Sequence, residues 1–278
     1  MRRSRRRITI LALVAAGAML VSAQPAGSID GADLSPDLIT KEPERFSLVT
    51  VSGELRLRFD NEVGNAHNGP LEIVSENIDS DCDGNGTIAL GERIADQRIY
   101  ADSNANGFFE RGVDSGFTDV RAGCVAYHDS HGHIHYQDFA SFALLDSDGQ
   151  VVSSNPKVTF CIADVSRFRP SLLGSPSARF YTNCLGATQG LSVGWSDEYP
   201  YSVSGQHVVL NPNGVYVGNG NYCLVSIADP LDKLEEVNTT GTAESNNAAS
   251  IVIRLRRNGK QVRAVKGSSC GGIGAESW

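Results

Sequence analysis

Short segments rich in β-branched residues are the feature that most restricts the fold of this chain. Typical segments are "FSLVTV" from Phe46, "ELRLRF" from Glu54 and "SIVIRL" from Ser250, and Gly, Asn, Pro and Ser separate such segments. Residues beyond 23 carry no long helical hydrophobic period. We therefore predict a mainly β fold, in which a β-sandwich core carries long loops, few short helices and disulfide staples. Residues 34–46 are polar, and we expect an irregular N-terminal arm there.

The first 23 residues have the pattern of a secretory signal peptide. The basic head "MRRSRRR" precedes the apolar run "ITILALVAAGAMLVSA", which ends in small residues. This pattern predicts export through the Sec or the twin-arginine route. Residues 24–278 are then expected to form a single secreted, extracellular domain. No later segment is apolar and long enough to span a bilayer, so we expect no membrane span in the mature chain.

The charge of the chain restricts its partners. The formal net charge is −8, and removal of the signal peptide with its five arginines lowers that charge to −13. An acidic surface repels nucleic acids and anionic membranes, and it attracts cationic partners and metal ions. We therefore expect no nucleic-acid partner.

The cysteines indicate covalent cross-links. An even number of cysteines in an exported protein predicts disulfides, here three. The absence of any Cys-x-x-Cys pair argues against a structural zinc site. The count alone leaves the pairing open. The six residues are Cys82, Cys124, Cys161, Cys184, Cys223 and Cys270.

A polar segment at about 78–116 contains two patterns typical of calcium-binding loops. The sequence "DCDGNGTIALGE" at 81–92 places oxygen-bearing side chains at loop positions 1, 3 and 5, glycine at 6 and glutamate at 12. The second pattern, "DSNANG", starts 21 residues later, but Val113 occupies its position 12 and Asp114 is the nearest acid. We predict a compact insert with structural calcium, and the alternative is a solvated turn repeat. The expected ligands are Asp81, Asp83, Asn85, Thr87 and Glu92 in the first loop and Asp102, Asn104, Asn106 and Asp114 in the second.

The stretch "HDSHGHIHY" from His128 concentrates four of the six histidines. In a strand, alternate residues point to one face, so His131, His133 and His135 would project together. An ideal strand would separate the outer two too widely for one metal ion, so a bend is required, and Gly132 could permit it. Imidazoles without a nearby thiolate suit Cu(II), Zn(II) or Ni(II), and spacing does not choose between these ions. The alternative is a surface patch of histidines.

Several motifs resemble the lysyl oxidases. "HDSHGHIHYQDFASFALLD" is similar to the copper-binding stretch of that family, and similar segments follow it in the family's order along the chain. With the earlier stretch "LRLRFDNEVGNAHNGPLEI", the likeness runs from Leu55 to Leu255. The later segments are "NPKVTFCIAD", "CLGATQGLSVGWSDEYPY" and "GNYCLVSIAD" with its Asn-Asn-rich continuation.

The resemblance implies a copper amine oxidase. The copper ligands match His131, His133 and His135, and the two precursors of a lysine tyrosylquinone cofactor match Lys157 and Tyr199. Tyr201 is the alternative if the register differs by two. Such an enzyme converts primary amines, on lysine side chains or on small or peptidyl substrates, to aldehydes with molecular oxygen, and it releases hydrogen peroxide and ammonia.

Some details stay open at this stage. The general base has no match in the family pattern, and Asp138 and His128 are candidates by proximity alone. With the resemblance we expect the pair Cys161–Cys184, and also Cys82–Cys124 and Cys223–Cys270. One alternative function is a secreted copper- or zinc-binding protein on the same fold that is not an oxidase. Another is a calcium-dependent adhesion or matrix module.

Overall fold

The computed structural model describes residues 33–76, 78–237 and 246–271, so the predicted signal peptide lies outside the described residues. Strands form nearly all of the regular structure. The strands are β1 (Asp33–Leu34), β2 (Leu38–Thr40), β3 (Glu44–Val51), β4 (Glu54–Asn65), β5 (Leu71–Ser75), β6 (Arg93–Ala101), β7 (Phe117–His128), β8 (His133–Leu145), β9 (Val151–Phe160), β10 (Ser166–Arg167), β11 (Thr188–Leu191), β12 (Trp195–Tyr199), β13 (His207–Val209), β14 (Gly220–Ala228), β15 (Ala248–Arg256) and β16 (Gln261–Ala264).

The strands form two sheets. The ten-stranded sheet has the order β11-β5-β6-β7-β8-β14-β15-β16, with β1 paired to β6 and β9 paired to β8. In the six-stranded sheet the order is β10-β12-β4-β13, and β2 and β3 also pair with β4. The only helical element in the described ranges is the 3-10 turn Pro212–Gly214. This architecture confirms the mainly β fold predicted from the sequence.

The larger of two clusters of buried apolar residues contains side chains from both sheets. Phe59 of β4 and Phe142 of β8 are almost completely buried, and their rings meet edge to face with centroids 4.8 Å apart. Along β8, Ala140, Phe142 and Leu144 face this core, as the alternation of side chains in a strand requires. Burial of apolar area from both sheets stabilises the sandwich.

The prediction of an irregular N-terminal arm at 34–46 is wrong. Leu34 belongs to β1, which pairs with Tyr100 of β6, and Leu38 and Ile39 belong to β2, which pairs with β4. All three of these apolar side chains are buried. Their burial holds a segment of mostly polar composition in two short edge strands.

Three disulfides join Cys82 to Cys124, Cys161 to Cys184 and Cys223 to Cys270, in the expected pairs. They close segments of 42, 23 and 47 residues. Restricting the unfolded chain over such lengths stabilises the fold by about 3 to 4 kcal/mol for each bond. Cys161 directly follows β9, so its bond fastens the end of that strand to the loop before β11.

A search of the described residues finds no helix with the length and hydrophobicity needed to cross a membrane.

The Phe59–Phe142 contact predicts a large effect on stability. Phe142→Ala should lower the free energy of unfolding by about 3 to 5 kcal/mol, because it removes a buried ring and leaves a cavity. Val151→Ala is the matched control: Val151 is 60% exposed, and we expect a change below about 0.5 kcal/mol. Equilibrium denaturation in urea measures both values, and equal midpoints for the two variants would contradict this description of the core.

Candidate metal and cofactor centre

The β7–β8 hairpin brings four imidazoles together. β7 ends at His128 and β8 begins at His133. In the turn between them, the backbone N–H groups of His131 and Gly132 both donate to the His128 carbonyl, at 3.0 and 2.8 Å. Gly132 has a φ of +72°, which glycine adopts without strain. His131 therefore lies in a turn rather than on a straight strand, and the turn supplies the bend that a shared ion requires.

Three ring nitrogens converge at this turn. His135 Nε2 lies 3.1 Å from His131 Nδ1 and 3.0 Å from His133 Nε2. Nitrogen ligands held at about 2.0–2.1 Å from one ion are themselves roughly 3 Å apart. The separations around His135 and the nitrogen donors therefore fit one copper or zinc ion.

His128 is a fourth imidazole at the same place. Its ring stacks on His131 and His135, with centroids 4.4 and 4.6 Å apart. Ring nitrogens of His128, His131 and His135 lie within 4.8 Å of one another. Two trios are therefore candidates. One is His128, His131 and His135, whose ring nitrogens are mutually close, and in the other His133 replaces His128. The 3.0 Å separation of His133 Nε2 from His135 Nε2 supports the second trio.

Burial and the neighbouring imidazoles favour the neutral form of His131, His133 and His135. Burial, followed by the neighbouring His128, lowers the pKa of His135 to about 3. Burial also lowers the pKa values of His131 and His133 from their ordinary value. Neutral imidazoles keep the nitrogen lone pair that a metal ion needs.

A threonine on β9 orients the central imidazole. His135 Nδ1 lies 2.9 Å from Thr159 Oγ1. Because His135 Nε2 faces the other rings, the proton is assigned to Nδ1, which donates to the threonine oxygen. Such a second contact fixes the tautomer and the ring orientation of a metal-binding histidine.

Tyr199 shares a depression with the histidines. His131, His133 and Tyr199 all line a depression of about 410 Å³. The Tyr199 ring stacks on Phe160 with centroids 3.7 Å apart, and its hydroxyl donates to the Cys161 carbonyl at 2.6 Å. Burial raises the pKa of the Tyr199 phenol well above its ordinary value, and the nearby Asp197 adds to that rise.

The other expected cofactor positions lie on and near the same elements. Lys157 belongs to β9, the strand that carries Thr159 and Phe160, but its side chain lies outside the described atoms. Tyr201 is not among the described residues that line the depression. Its backbone N–H instead donates to Asp60. Tyr199, and not Tyr201, thus lines the same depression as His131 and His133.

Asp197 is a residue of the depression that the sequence patterns did not identify. It is 3% exposed, and the Ala163 N–H donates to its Oδ2 at 3.4 Å. Burial raises the pKa of the Asp197 carboxyl well above its ordinary value. The candidate base Asp138 lies elsewhere, in an ion pair of 2.9 Å with Lys233. The position of Asp197 two residues before Tyr199 was the one available signal.

Chemistry rather than size distinguishes this depression. Two others, of about 730 and 570 Å³, lie elsewhere on the surface. The described residues that line them include no histidine and no tyrosine.

The first calcium-like loop gathers oxygen atoms around one point. Carboxylate oxygens of Asp81, Asp83 and Glu92 lie within 4.8 Å of one another. Glu92 is 1% exposed, and it accepts backbone N–H groups of Cys82 and Ala89 at 2.9 and 2.7 Å. Asp81 accepts the N–H groups of two further loop residues, Asn85 and Gly86. The predicted position Thr87 lies in the same loop, with its N–H bonded to Asn85 Oδ1.

The second loop repeats this pattern with one difference. Asp102 accepts N–H groups of Asn106 and Gly107, as Asp81 does from its own loop. Asp114 accepts the Ser103 and Glu110 N–H groups at 2.9 and 2.7 Å, in the same manner as Glu92. Val113, which holds position 12 by count, is 48% exposed, whereas Asp114 is 2% exposed. One extra residue compensates for the shorter side chain of aspartate. Asn104, the remaining predicted position, accepts the Asn106 N–H.

The convergence of the imidazoles predicts a ranking of metal affinities. His135→Ala and His133→Ala should each weaken binding of Cu²⁺ or Zn²⁺ by more than about 100-fold, the upper end for residues that only support a ligand. His128→Ala is the matched control, and we expect about a tenfold loss. Competition titration against a chromogenic chelator measures all three affinities. A large loss in His128→Ala together with a small loss in His133→Ala would identify the other trio.

The comparison with protein-family models identifies the family of this chain. Residues 116–264, just over half of the chain, match the family model described as lysyl oxidase. The matched region includes His131, Lys157 and Tyr199, and it begins where the calcium-like loops end. A search among curated proteins gave no match. The chain belongs to the lysyl oxidase family.

Proposed function

We propose that this protein is a secreted, copper-dependent amine oxidase of the lysyl oxidase type. Members of the family are oxidoreductases that act on amines, are typically secreted, and typically use copper and lysine tyrosylquinone. The observation that carries the proposal is the depression shared by His131, His133 and Tyr199. Residues 24–278 then form one catalytic domain, with the calcium-loop insert at about 78–116.

The ligands assigned to copper are His131, His133 and His135. Support comes from the neutral state of the imidazoles and from the separations of about 3 Å around His135 Nε2. The two cofactor precursors assigned by the family pattern are Lys157 and Tyr199. When bound, copper supplies electron transfer with molecular oxygen, and lysine tyrosylquinone supplies a carbonyl electrophile for primary amines. The overall reaction converts a primary amine, oxygen and water to an aldehyde, ammonia and hydrogen peroxide.

The residues of the chain position the reacting groups. Phe160 fixes the plane of the Tyr199 ring by stacking, and the Cys161 carbonyl fixes the direction of its hydroxyl. Thr159, one residue before Phe160, orients His135. Three consecutive residues of the chain therefore set the metal ligand and the phenol relative to each other. The Cys161–Cys184 disulfide lines the same depression and joins the end of β9 to the loop before β11.

The proposal predicts a cross-link and a product. The copper-loaded, aerated protein should release hydrogen peroxide with a lysine-containing peptide, and a tryptic map should contain one fragment that joins Lys157 to Tyr199. Tyr199→Phe should remove both signals, because phenylalanine lacks the oxygen from which a quinone forms. Tyr201→Phe is the matched control, and its peroxide release and its yield of the joined fragment should stay within a few-fold of the wild type.

Separate tryptic fragments and no peroxide from the loaded wild-type protein would contradict the oxidase. The protein would then be a secreted copper- or zinc-binding protein on the same fold.

We also propose that the insert binds two structural calcium ions. Oxygen ligands about 2.3–2.6 Å from one calcium ion lie within roughly 5 Å of one another, as the carboxylates of the first loop do. Glu92 and Asp114 are almost fully buried. A bound cation offsets the cost of burying these charges. The equivalent hydrogen bonds of the two loops support the same role for both.

Removal of calcium should therefore destabilise the protein. At a free calcium concentration of about 100 times Kd, binding stabilises the folded state by about 2.7 kcal/mol. In a domain of this size, chelation should lower the midpoint of thermal unfolding by about 5 to 10 °C. Glu92→Gln should show, without a chelator, the part of this loss that belongs to the first loop, and Glu76→Gln, outside the loops, should not. Scanning calorimetry measures the midpoints. A wild-type midpoint that does not change when calcium is removed would exclude structural calcium binding by the insert.

A further inference from the structure

The depression beside the histidines has an acidic end and apolar walls. Asp197 and Glu198 line it, and no lysine or arginine is among its described lining residues. Ala163, Val165 and Val203 supply apolar surface. A cavity of this composition favours a flexible alkyl chain that ends in a cation.

The two carboxyl groups of the depression differ in their partners. Glu198 is 31% exposed at its side chain and pairs with Arg45 at 2.6 Å. Asp197 is 3% exposed, and the ion pairs of the described residues do not include it. Its neighbours are the Ala163 N–H at 3.4 Å, the Tyr199 hydroxyl, the Glu198 backbone N–H and the Asp164 carboxylate, and none of them is a cation. Asp197 is therefore the carboxyl group of the depression whose charge an incoming cation would balance.

We propose that Asp197 binds the ammonium group of the substrate and accepts its proton. The inference rests on the proposed amine oxidase function and names the residue that prepares the substrate. An N–H bond of R–NH₃⁺ breaks, the proton moves to an Asp197 carboxylate oxygen, and the electron pair stays on nitrogen. The product is the neutral amine, which is the form that attacks a carbonyl.

Burial brings the pKa values of the substrate ammonium and the Asp197 carboxyl closer together. An alkylammonium resembles lysine, whose pKa in water is about 10.4, so a carboxylate in water is a poor base for it. Burial raises the pKa of the Asp197 carboxyl, and the same environment disfavours the charged ammonium. Proton transfer inside the depression therefore costs less than in water.

The charges also select a class of substrate. Lysine side chains in peptides and simple alkylamines place only a cation and an apolar chain in the depression. Free α-amino acids that react through their α-amine would also place a carboxylate near Asp197 and Glu198, and like charges repel. We expect discrimination against such amines.

Amine binding should depend on pH in a defined direction. Below the pKa of Asp197 in the free protein, the carboxyl group is protonated and must release one proton to bind the ammonium. Affinity should then fall about tenfold for each pH unit of acidification, and it should be constant above that pKa. Other groups around the depression could titrate. They are His131 and His133 from the β7–β8 turn, Glu198 and Tyr199 from β12, and Asp164 after β9.

Calorimetric titration of the zinc-loaded mature chain with n-butylammonium tests the inference. Zinc occupies the imidazoles without redox chemistry, so binding is measured without turnover. Asp197→Asn should weaken binding at least about tenfold above the pKa and remove the acid-side slope. Glu198→Gln is the matched control and should keep the slope. Asp197→Glu retains a carboxyl group, so its affinity should also show the acid-side slope. This variant tests the inference if Asp197→Asn does not fold.

The inference would be overturned if wild type and Asp197→Asn bound the amine with equal affinity and with the same dependence of affinity on pH. It would also be overturned if the affinity of the wild type did not change with pH down to the ordinary pKa of aspartate. Failure of the inference and failure of the proposed function are distinguishable. Amine binding that depends on Asp197 in a protein that never releases peroxide would exclude only the oxidase. Peroxide release with Asp197-independent binding would exclude only the role of Asp197.

Discussion

The contact between His135 and Thr159 is the constraint on which the centre depends. It joins the β7–β8 hairpin, which contains the imidazoles, to strand β9. Lys157 belongs to β9, and the last residue of the strand, Phe160, stacks on the Tyr199 ring. A candidate metal ligand, His135, and the Tyr199 ring thus contact adjacent residues of one strand. Since interiors pack as tightly as organic crystals, a change of β9 register by one residue would exchange its two faces and separate these groups.

The buried carboxyl groups of Glu92, Asp114 and Asp197 lie in different surroundings. Glu92 and Asp114 each accept two short backbone hydrogen bonds inside polar loops, and they have neighbouring oxygen ligands for a cation. Asp197 is as deeply buried, and it interacts with the Ala163 N–H at 3.4 Å, the Tyr199 hydroxyl and the Glu198 backbone N–H. Burial raises the pKa of the Asp197 carboxyl, and a carboxyl group with a shifted pKa in a depression is a candidate for ligand binding. In the proposed roles, the acids of the insert bind calcium and stabilise a segment of the fold, and Asp197 binds the substrate ammonium.

Local patterns predicted much of this structure, and long-range contacts account for what they missed. Alternating β-branched segments predicted the sandwich, and the spacing of His131, His133 and His135 predicted a shared site with a bend at Gly132. The turn itself depends on two hydrogen bonds to the His128 carbonyl, which no periodicity reveals. Asp197 escaped notice because its burial arises from packing against a segment more than thirty residues earlier, at Ala163. The edge strands at 34–46 form through pairing with β4 and β6, again distant in sequence.

The central claim is that one ion is held by an imidazole trio in the depression that contains Tyr199. Anomalous diffraction at the copper absorption edge, from a crystal of the copper-loaded protein, locates that ion most directly. The account predicts one strong peak bonded to His131 Nδ1, His133 Nε2 and His135 Nε2, on the side facing Tyr199. A peak at His67 or His207, or none at the β7–β8 turn, would contradict it.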